Sequence, residues 1–252
     1  MPLPLSATSS KGKRDGRLGF TVSAQQVLKQ LQSFSKGSAC GKSGWRVTHY
    51  IQLFSVHRFS VAFTSLINTF LSGVCDPAIS AQLYVQGNLI PLLKKDADVR
   101  NIRPIVVGEV FRRLISKLCT KEIAKKASDF LQPFQLGVGV PNGIEAILHA
   151  FNKLIKSDSL DPSLVLLLID FVNAFNMVNR NSFLTIVRES FPAIFPWVYY
   201  CYSVSAPLFL DSFIIWAQTG VQQGDPLVPS FSLSYFDTTS NSYIYDSTSL
   251  FG

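Results

Sequence analysis

An aspartate at the end of an apolar run is the first residue whose chemistry calls for a cause. Ser163-Leu-Val-Leu-Leu-Leu-Ile-Asp170 reads as a fully buried strand closed by a carboxylate. A carboxylate placed there is costly to desolvate unless a metal, a cation or hydrogen bonds compensate it. Asp170 opens the segment Asp170-Phe-Val-Asn-Ala-Phe-Asn-Met-Val-Asn179, where it could bind a metal or cap the turn that follows. A second constellation is Gln218-Thr-Gly-Val-Gln-Gln-Gly-Asp-Pro-Leu227. Its paired glutamines and flanking glycines suit a loop that brings backbone close to a flat ligand and positions an amide, or a plain polar turn. A third is basic: Lys94 and Lys95, then Arg100 and Arg103, on two adjacent expected strands. These could clamp a triphosphate or form the solvated edge of a sheet.

The elements that must position these residues can be read from periodicity. Residues 1 to about 45 are rich in Ser, Gly and Lys and read as largely disordered, apart from a short helical stretch near Ala24 to Phe34. Gly37-Ser-Ala-Cys-Gly41-Lys42-Ser43 imitates a phosphate-binding loop, but it has three residues between its glycines instead of four and no strand leads into it. Tyr50 to Leu71 has helical spacing. Gln82 to Val85, Leu89 to Leu93 and Ile102 to Val107 read as strands, and Val110 to Leu131 as a helix with a strongly basic exposed face. Asn142 with Glu145 resembles a capping box for a helix whose apolar stripe includes Ile144, Ile147, Leu148, Leu154 and Ile155. Further helices are expected from about Asn181 and about Pro192, and a hairpin about Asp211-Ser212. Helices and strands mix without regular βαβ alternation, so the fold class is α+β.

Bulk properties narrow the function classes. A chain of 252 residues that is 47% hydrophobic can bury a large core. No run of about 18 apolar residues escapes charge or proline, so no membrane span is expected. The start, Met-Pro-Leu-Pro-Leu-Ser, lacks the pattern of a signal peptide, which points to an intracellular or nuclear setting. Cys40, Cys75, Cys119 and Cys201 form no Cys-x-x-Cys pair and His49, His57 and His149 stand apart from them, which supports neither a disulfide framework nor a zinc site. Charge is unevenly divided: 19 Lys and Arg against 6 Asp and Glu up to Lys126, then 4 against 10. A basic half joined to an acidic half suits a nucleic-acid enzyme, or two solvated surfaces of opposite sign.

The order of the motifs carries more than any one of them. Ile102-Arg-Pro-Ile-Val-Val-Gly108, Phe111-Arg-Arg-Leu-Ile-Ser-Lys117, Phe134-Gln-Leu-Gly-Val-Gly-Val-Pro-Asn-Gly143, Asp170 to Asn179 and Gly220-Val-Gln-Gln-Gly-Asp-Pro-Leu227 together resemble the reverse-transcriptase domain of non-LTR, LINE-type retrotransposons, especially plant copies. More loosely, Cys40-Gly-Lys-Ser-Gly-Trp-Arg46 resembles the family's Gly-x-Asp-Gly segment, with Ser43 where Asp is usual. The resemblance implies an incomplete polymerase right hand: a lead-in over 46–80, fingers over 81–160 and a partial palm over 161–229, with an unrelated tail over 230–252 and no thumb. It implies two-metal Mg²⁺ chemistry with Asp170 as the first palm carboxylate and the Phe171 carbonyl beside it. By the same resemblance Phe175 is a steric gate against the ribose 2′-hydroxyl. Gln223 and Gly224 line the nucleotide pocket, and Lys94, Lys95 and Arg103 bind the triphosphate of a dNTP. Arg112, Arg113 and Lys117, with Gln135, Gly137 and Gly139, track the RNA or DNA template backbone.

The pattern breaks after Leu227. The family supplies further metal-binding carboxylates as an Asp-Asp pair in a later hairpin, and these 252 residues contain no Asp-Asp; Asp237 and Asp246 stand singly. In place of the family's apolar helix stands Val228-Pro-Ser-Phe-Ser-Leu-Ser-Tyr-Phe-Asp-Thr238. One permitted choice of codons for this run, read one base earlier, spells Gly-Pro-Phe-Phe-Phe-Ser-Leu-Ile-Leu-Arg-His, which resembles the missing helix. The expectation is a frameshifted, inactive polymerase fragment, with a retained nucleic-acid-binding module or a relic without function as the alternatives.

Overall fold

A computed structural model describes residues 19–93, 102–131, 136, 140–156 and 174–227. Lys94, Lys95, Gln135, Gly137, Gly139, Asp170, Phe171 and the expected Ser163 to Asp170 strand lie outside the described residues.

The fold is mixed α+β, as the pattern indicated. Helices α1 (Ala24–Gln32), α2 (Val47–Phe54), α3 (His57–Leu71) and α4 (Pro77–Tyr84) lead into strands β1 (Gly87–Leu93) and β2 (Ile102–Gly108). Then follow α5 (Val110–Leu131), α6 (Gly143–Ile155), α7 (Ala174–Met177), α8 (Arg180–Ser190) and α9 (Phe195–Tyr202), and the hairpin β3 (Ala206–Leu210) and β4 (Phe213–Ala217).

The core forms around α5, where Val110, Leu114, Ile115 and Cys119 are completely buried. Phe70 of α3 stands at its centre, with the rings of Tyr84, Phe111, Trp197 and Tyr200 all within 6.0 Å, centroid to centroid, and edge-on to it. Such edge-to-face packing aims the positive ring edges at negative ring faces. Ser116 on α5 meets the one polar atom that Trp197 carries into this core, accepting from its Nε1 at 3.2 Å.

Among the described residues a four-stranded sheet has the order β2-β1-β3-β4. β1 and β2 are antiparallel from Gly87 opposite Gly108 to Leu93 opposite Ile102. β1 meets β3 in parallel at Gly87 and Asn88, and β3 and β4 close an antiparallel hairpin. Its turn residue Asp211 takes a left-handed φ of 50°, a conformation that Asp and Asn tolerate better than most side chains.

Three local expectations need correcting. Gln82 to Tyr84 are helical, because Asp76 caps Ala78 with its side chain and Pro77 occupies the first helical position, a strong start signal for α4. The Tyr50 to Leu71 stretch is two helices with a break at Ser55 and Val56. Asn142 gives no side-chain cap: it sits at φ 56° and enters α6 from the left-handed region. The helix expected near Ala24 to Phe34 is present as α1, which starts in a capping box between Ser23 and Gln26 and buries Val27 and Leu31 completely.

Candidate functional site

Short backbone bonds join two of the motifs. The Gly220 amide donates to the Val178 carbonyl at 3.0 Å and the Val221 amide to Phe175 at 2.8 Å, which seats the glutamine turn on α7 and the residues after it. Gly220 is required there. Its φ is +70°, and a Cβ would lie 2.5 Å from the Asn176 carbonyl oxygen. A third motif joins from the sheet, where the Gln222 Nε2 reaches the Val106 carbonyl of β2 at 3.4 Å. These three segments, together with β1, β3, β4 and α9, line a cavity of about 310 Å³ with Leu89, Val106 and Leu208 among its apolar walls and Asn176, Gln222 and Gln223 among its polar residues. Apolar walls with a few convergent amides are the usual composition of a small-molecule site.

Charge is concentrated behind the turn. Arg112 and Asp225, 2% and 4% exposed, form an ion pair at 3.2 Å. Arg112 also donates from Nη1 to the Val85 carbonyl at 2.9 Å. Asp225 accepts from the Tyr202 hydroxyl at 3.0 Å and from the Leu227 amide at 3.1 Å. Burial, then the neighbouring Asp225 charge, push the Tyr202 phenol well above its ordinary pKa, so it keeps its proton as a donor. Burial works against the Arg112 charge, but Cys201, Tyr202 and Asp225 outweigh it and hold the guanidinium protonated. Arg180 closes the other side, donating to the carbonyls of Gly220, Val204 and Thr219 at 2.9 to 3.4 Å.

The expected site residues scatter. Arg103 is exposed on β2 opposite Leu92. Phe175 is half-buried against the core, while Gln223 is half-buried at the cavity and Gly224 is exposed at φ +93°. Arg112 does not stand on the surface with a template: its terminal nitrogens are committed inside the protein. Arg113 and Lys117 are half-buried and face the N-terminal segment. Arg113 donates to the Ala39 carbonyl, Lys117 to the Ser33 carbonyl and hydroxyl, and both lie over the Phe34 ring. The basic face expected of α5 is therefore partly covered by α1 and the loop after it, leaving Lys121, Lys125 and Lys126 exposed.

Sequence reasoning passed over Asp225, Tyr202, Arg180 and Gln222. One signal was present: Arg112, Ser116, Cys119, Ile123 and Ala127 fall at helical spacing on one stripe, and all five are buried. An arginine on such a stripe calls for an acid, and Asp225 lies within the glutamine motif.

Among the described residues no three His, Cys, Asp or Glu side chains group as a metal site. The two buried carboxylates near the turn and β2 are occupied, Asp225 by Arg112 and Glu109 by the Ser43 amide and hydroxyl at 2.9 and 2.6 Å. No described helix is long and apolar enough to cross a membrane. A scan of protein-family models finds no match to the chain. A search of curated proteins finds no significant match either.

Proposed function

We propose that this chain derives from the fingers and front palm of a retrotransposon reverse transcriptase and that it engages nucleic acid without polymerising. The observation that supports this reading is convergence. The segments 102–108, 174–179 and 220–227, which carry the resemblance and lie far apart in sequence, meet around one cavity through Val106, Phe175, Val178 and the glutamine turn. In this reading Gln223 and Gly224 face an incoming dNTP, Phe175 stands beside its sugar, and Arg103 adds positive charge at the open edge of the fingers. Asp170 and Phe171 supply the first metal contacts, and Lys94 and Lys95 the triphosphate clamp.

The described residues do not assemble a site for the Mg²⁺ that such an enzyme uses, because Asp225 and Glu109 are already paired, and these 252 residues contain no Asp-Asp. Without charge stabilisation of the leaving group, positioning alone gives little rate. A primed RNA or DNA template with Mg²⁺ and dNTPs should therefore show no extension; robust extension that Asp170→Ala abolishes would sink the claim of inactivity. Nucleic-acid binding is favoured by Lys121 and Lys125, exposed one helical turn apart, with Arg103 exposed on β2. Affinity for a single-stranded RNA oligonucleotide should fall steeply as salt rises. Absence of binding at low salt would leave a relic as the better account. The coding DNA tests the frameshift: a shifted frame after the Leu227 codon should encode an Asp-Asp hairpin, and its lack rejects that origin.

A further inference from the structure

The glutamine turn is exposed at its tip, yet its base is anchored by a chain of hydrogen bonds that ends on a buried charge. The Gln222 amide donates to the Tyr202 hydroxyl oxygen at 3.4 Å, the Tyr202 hydroxyl donates to Asp225 Oδ2 at 3.0 Å, and the same oxygen accepts from Arg112 Nη2 at 3.2 Å. The Asp225 amide in turn donates to the Gln222 carbonyl at 3.1 Å, closing the turn on itself. We propose that Asp225 is the positioning residue of this turn: acting through Tyr202 and Arg112, it fixes where the Gln222 and Gln223 amides stand over the cavity. The inference rests on the nucleotide-side reading of that turn, but its local consequence can be measured independently.

Three observations distinguish this role from a general contribution to folding. Among the described residues the side-chain partners of Asp225 are Arg112, Tyr202 and the Leu227 amide, and none of them belongs to the aromatic cluster about Phe70. Two bonds tie this cluster to the sheet: Gln222 Nε2 reaches Val106, a cavity-lining residue of β2, and Arg112 Nη1 holds the Val85 carbonyl just before β1. The hydroxyl of Tyr202 is also the link that the charge strengthens. A donor bonded to a carboxylate is polarised and becomes the better acceptor for the Gln222 amide. Asp225 therefore orders the turn from beneath and is not itself on the cavity wall, which Gln222 and Gln223 line.

The test uses the full chain with Tyr202→Phe, Asp225→Asn and Asp225→Glu, and reads amide hydrogen exchange by residue together with binding of mant-dGTP followed by fluorescence. Tyr202→Phe keeps the ring in the core and removes only the link, so it serves even where Asp225→Asn fails to fold. Exchange at Gln222 and Gln223 should quicken about tenfold or more in Tyr202→Phe, a factor on the scale of one lost hydrogen bond, while Trp197 to Cys201 change less than about twofold. Asp225→Glu, which keeps the charge, should recover part of the protection, and mant-dGTP affinity should follow the exchange at the turn. Unchanged exchange at Gln222 and Gln223 in Tyr202→Phe, or a rise shared equally by α9, would overturn the positioning role. If wild type binds no mant-dGTP while the exchange behaves as expected, the nucleotide reading fails and the positioning of the turn stands.

Discussion

At the scale of single residues, the clearest change from expectation is that basic side chains on α5 hold the protein together. Arg112 is committed to Val85 and Asp225, and Arg113 and Lys117 to the segment around Phe34. Arg113→Ala and Lys117→Ala should each cost roughly 1 kcal/mol in urea denaturation, the range of a single hydrogen bond, and change RNA affinity by less than about threefold. A tenfold affinity loss at unchanged stability would restore them to a template role. Asp225→Ala should cost more, about 3 to 5 kcal/mol, because it strands a buried guanidinium. The buried thiol Cys201 offers a test by pH. Burial, chiefly, lifts its pKa from 9.0 to about 12, with Arg112 pulling down and Asp225 pushing up. The folded state then holds a proton that the unfolded state releases above pH 9, so the folded state's advantage is complete below that value and lost as pH rises toward 12. Thermal midpoints should accordingly decline above pH 9, and Cys201→Ala should flatten part of that decline. Equal slopes in the two proteins would exclude Cys201 as a source. The sequence displayed all these side chains but not their partners: Asp225 lies 113 residues from Arg112, and local pattern carries no information across that distance.

At the scale of elements, legibility followed the strength of local signals. The bounds of α5, the strands at Leu89 to Leu93 and Ile102 to Val107 and the Asp211-Ser212 hairpin were readable because each is set by its own periodicity or turn chemistry. The short helix near Ala24 to Phe34 was legible too, and α1 needs only Val27 and Leu31 to anchor it on α5. The reverse holds for α6. Its amphipathic stripe predicted a buried face, yet Ile144, Leu148 and Ile155 are more than half exposed. A matched pair of substitutions tests the contrast. Leu31→Ala should destabilise by about 2 to 5 kcal/mol, through lost transfer energy and a cavity. Leu148→Ala should stay within about 0.5 kcal/mol, as at an uncovered surface position. A cost at Leu148 as large as at Leu31 would mean that the stripe is covered in solution.

At the scale of the whole molecule, the described strands give the sheet two unequal edges, β2 and β4. β2 carries Arg103 and Pro104, a charge and a residue without an amide proton, both of which discourage further pairing. β4 has neither, and Phe213, Ile214, Ile215 and Trp216 are 47 to 70% exposed along it. Light scattering should therefore rise with protein concentration, and Ile214→Lys should suppress the rise; a wild type that stays monomeric at high concentration would contradict this. The ion pair behind the glutamine turn has a consequence in time. Arg112 is translated 113 residues before its carboxylate, and at 5 to 20 residues per second the ribosome takes roughly 6 to 23 s to bridge that interval. Throughout it, α5 carries on its core-facing stripe a cation with no counter-charge in the chain yet made to hold it there. The surface that receives Asp225 must stay hydrated until synthesis reaches that residue. The first half of the nascent chain therefore cannot close its interior on its own, and a ribosome stalled between Arg112 and Asp225 should hold a chain that proteases still cut near α5.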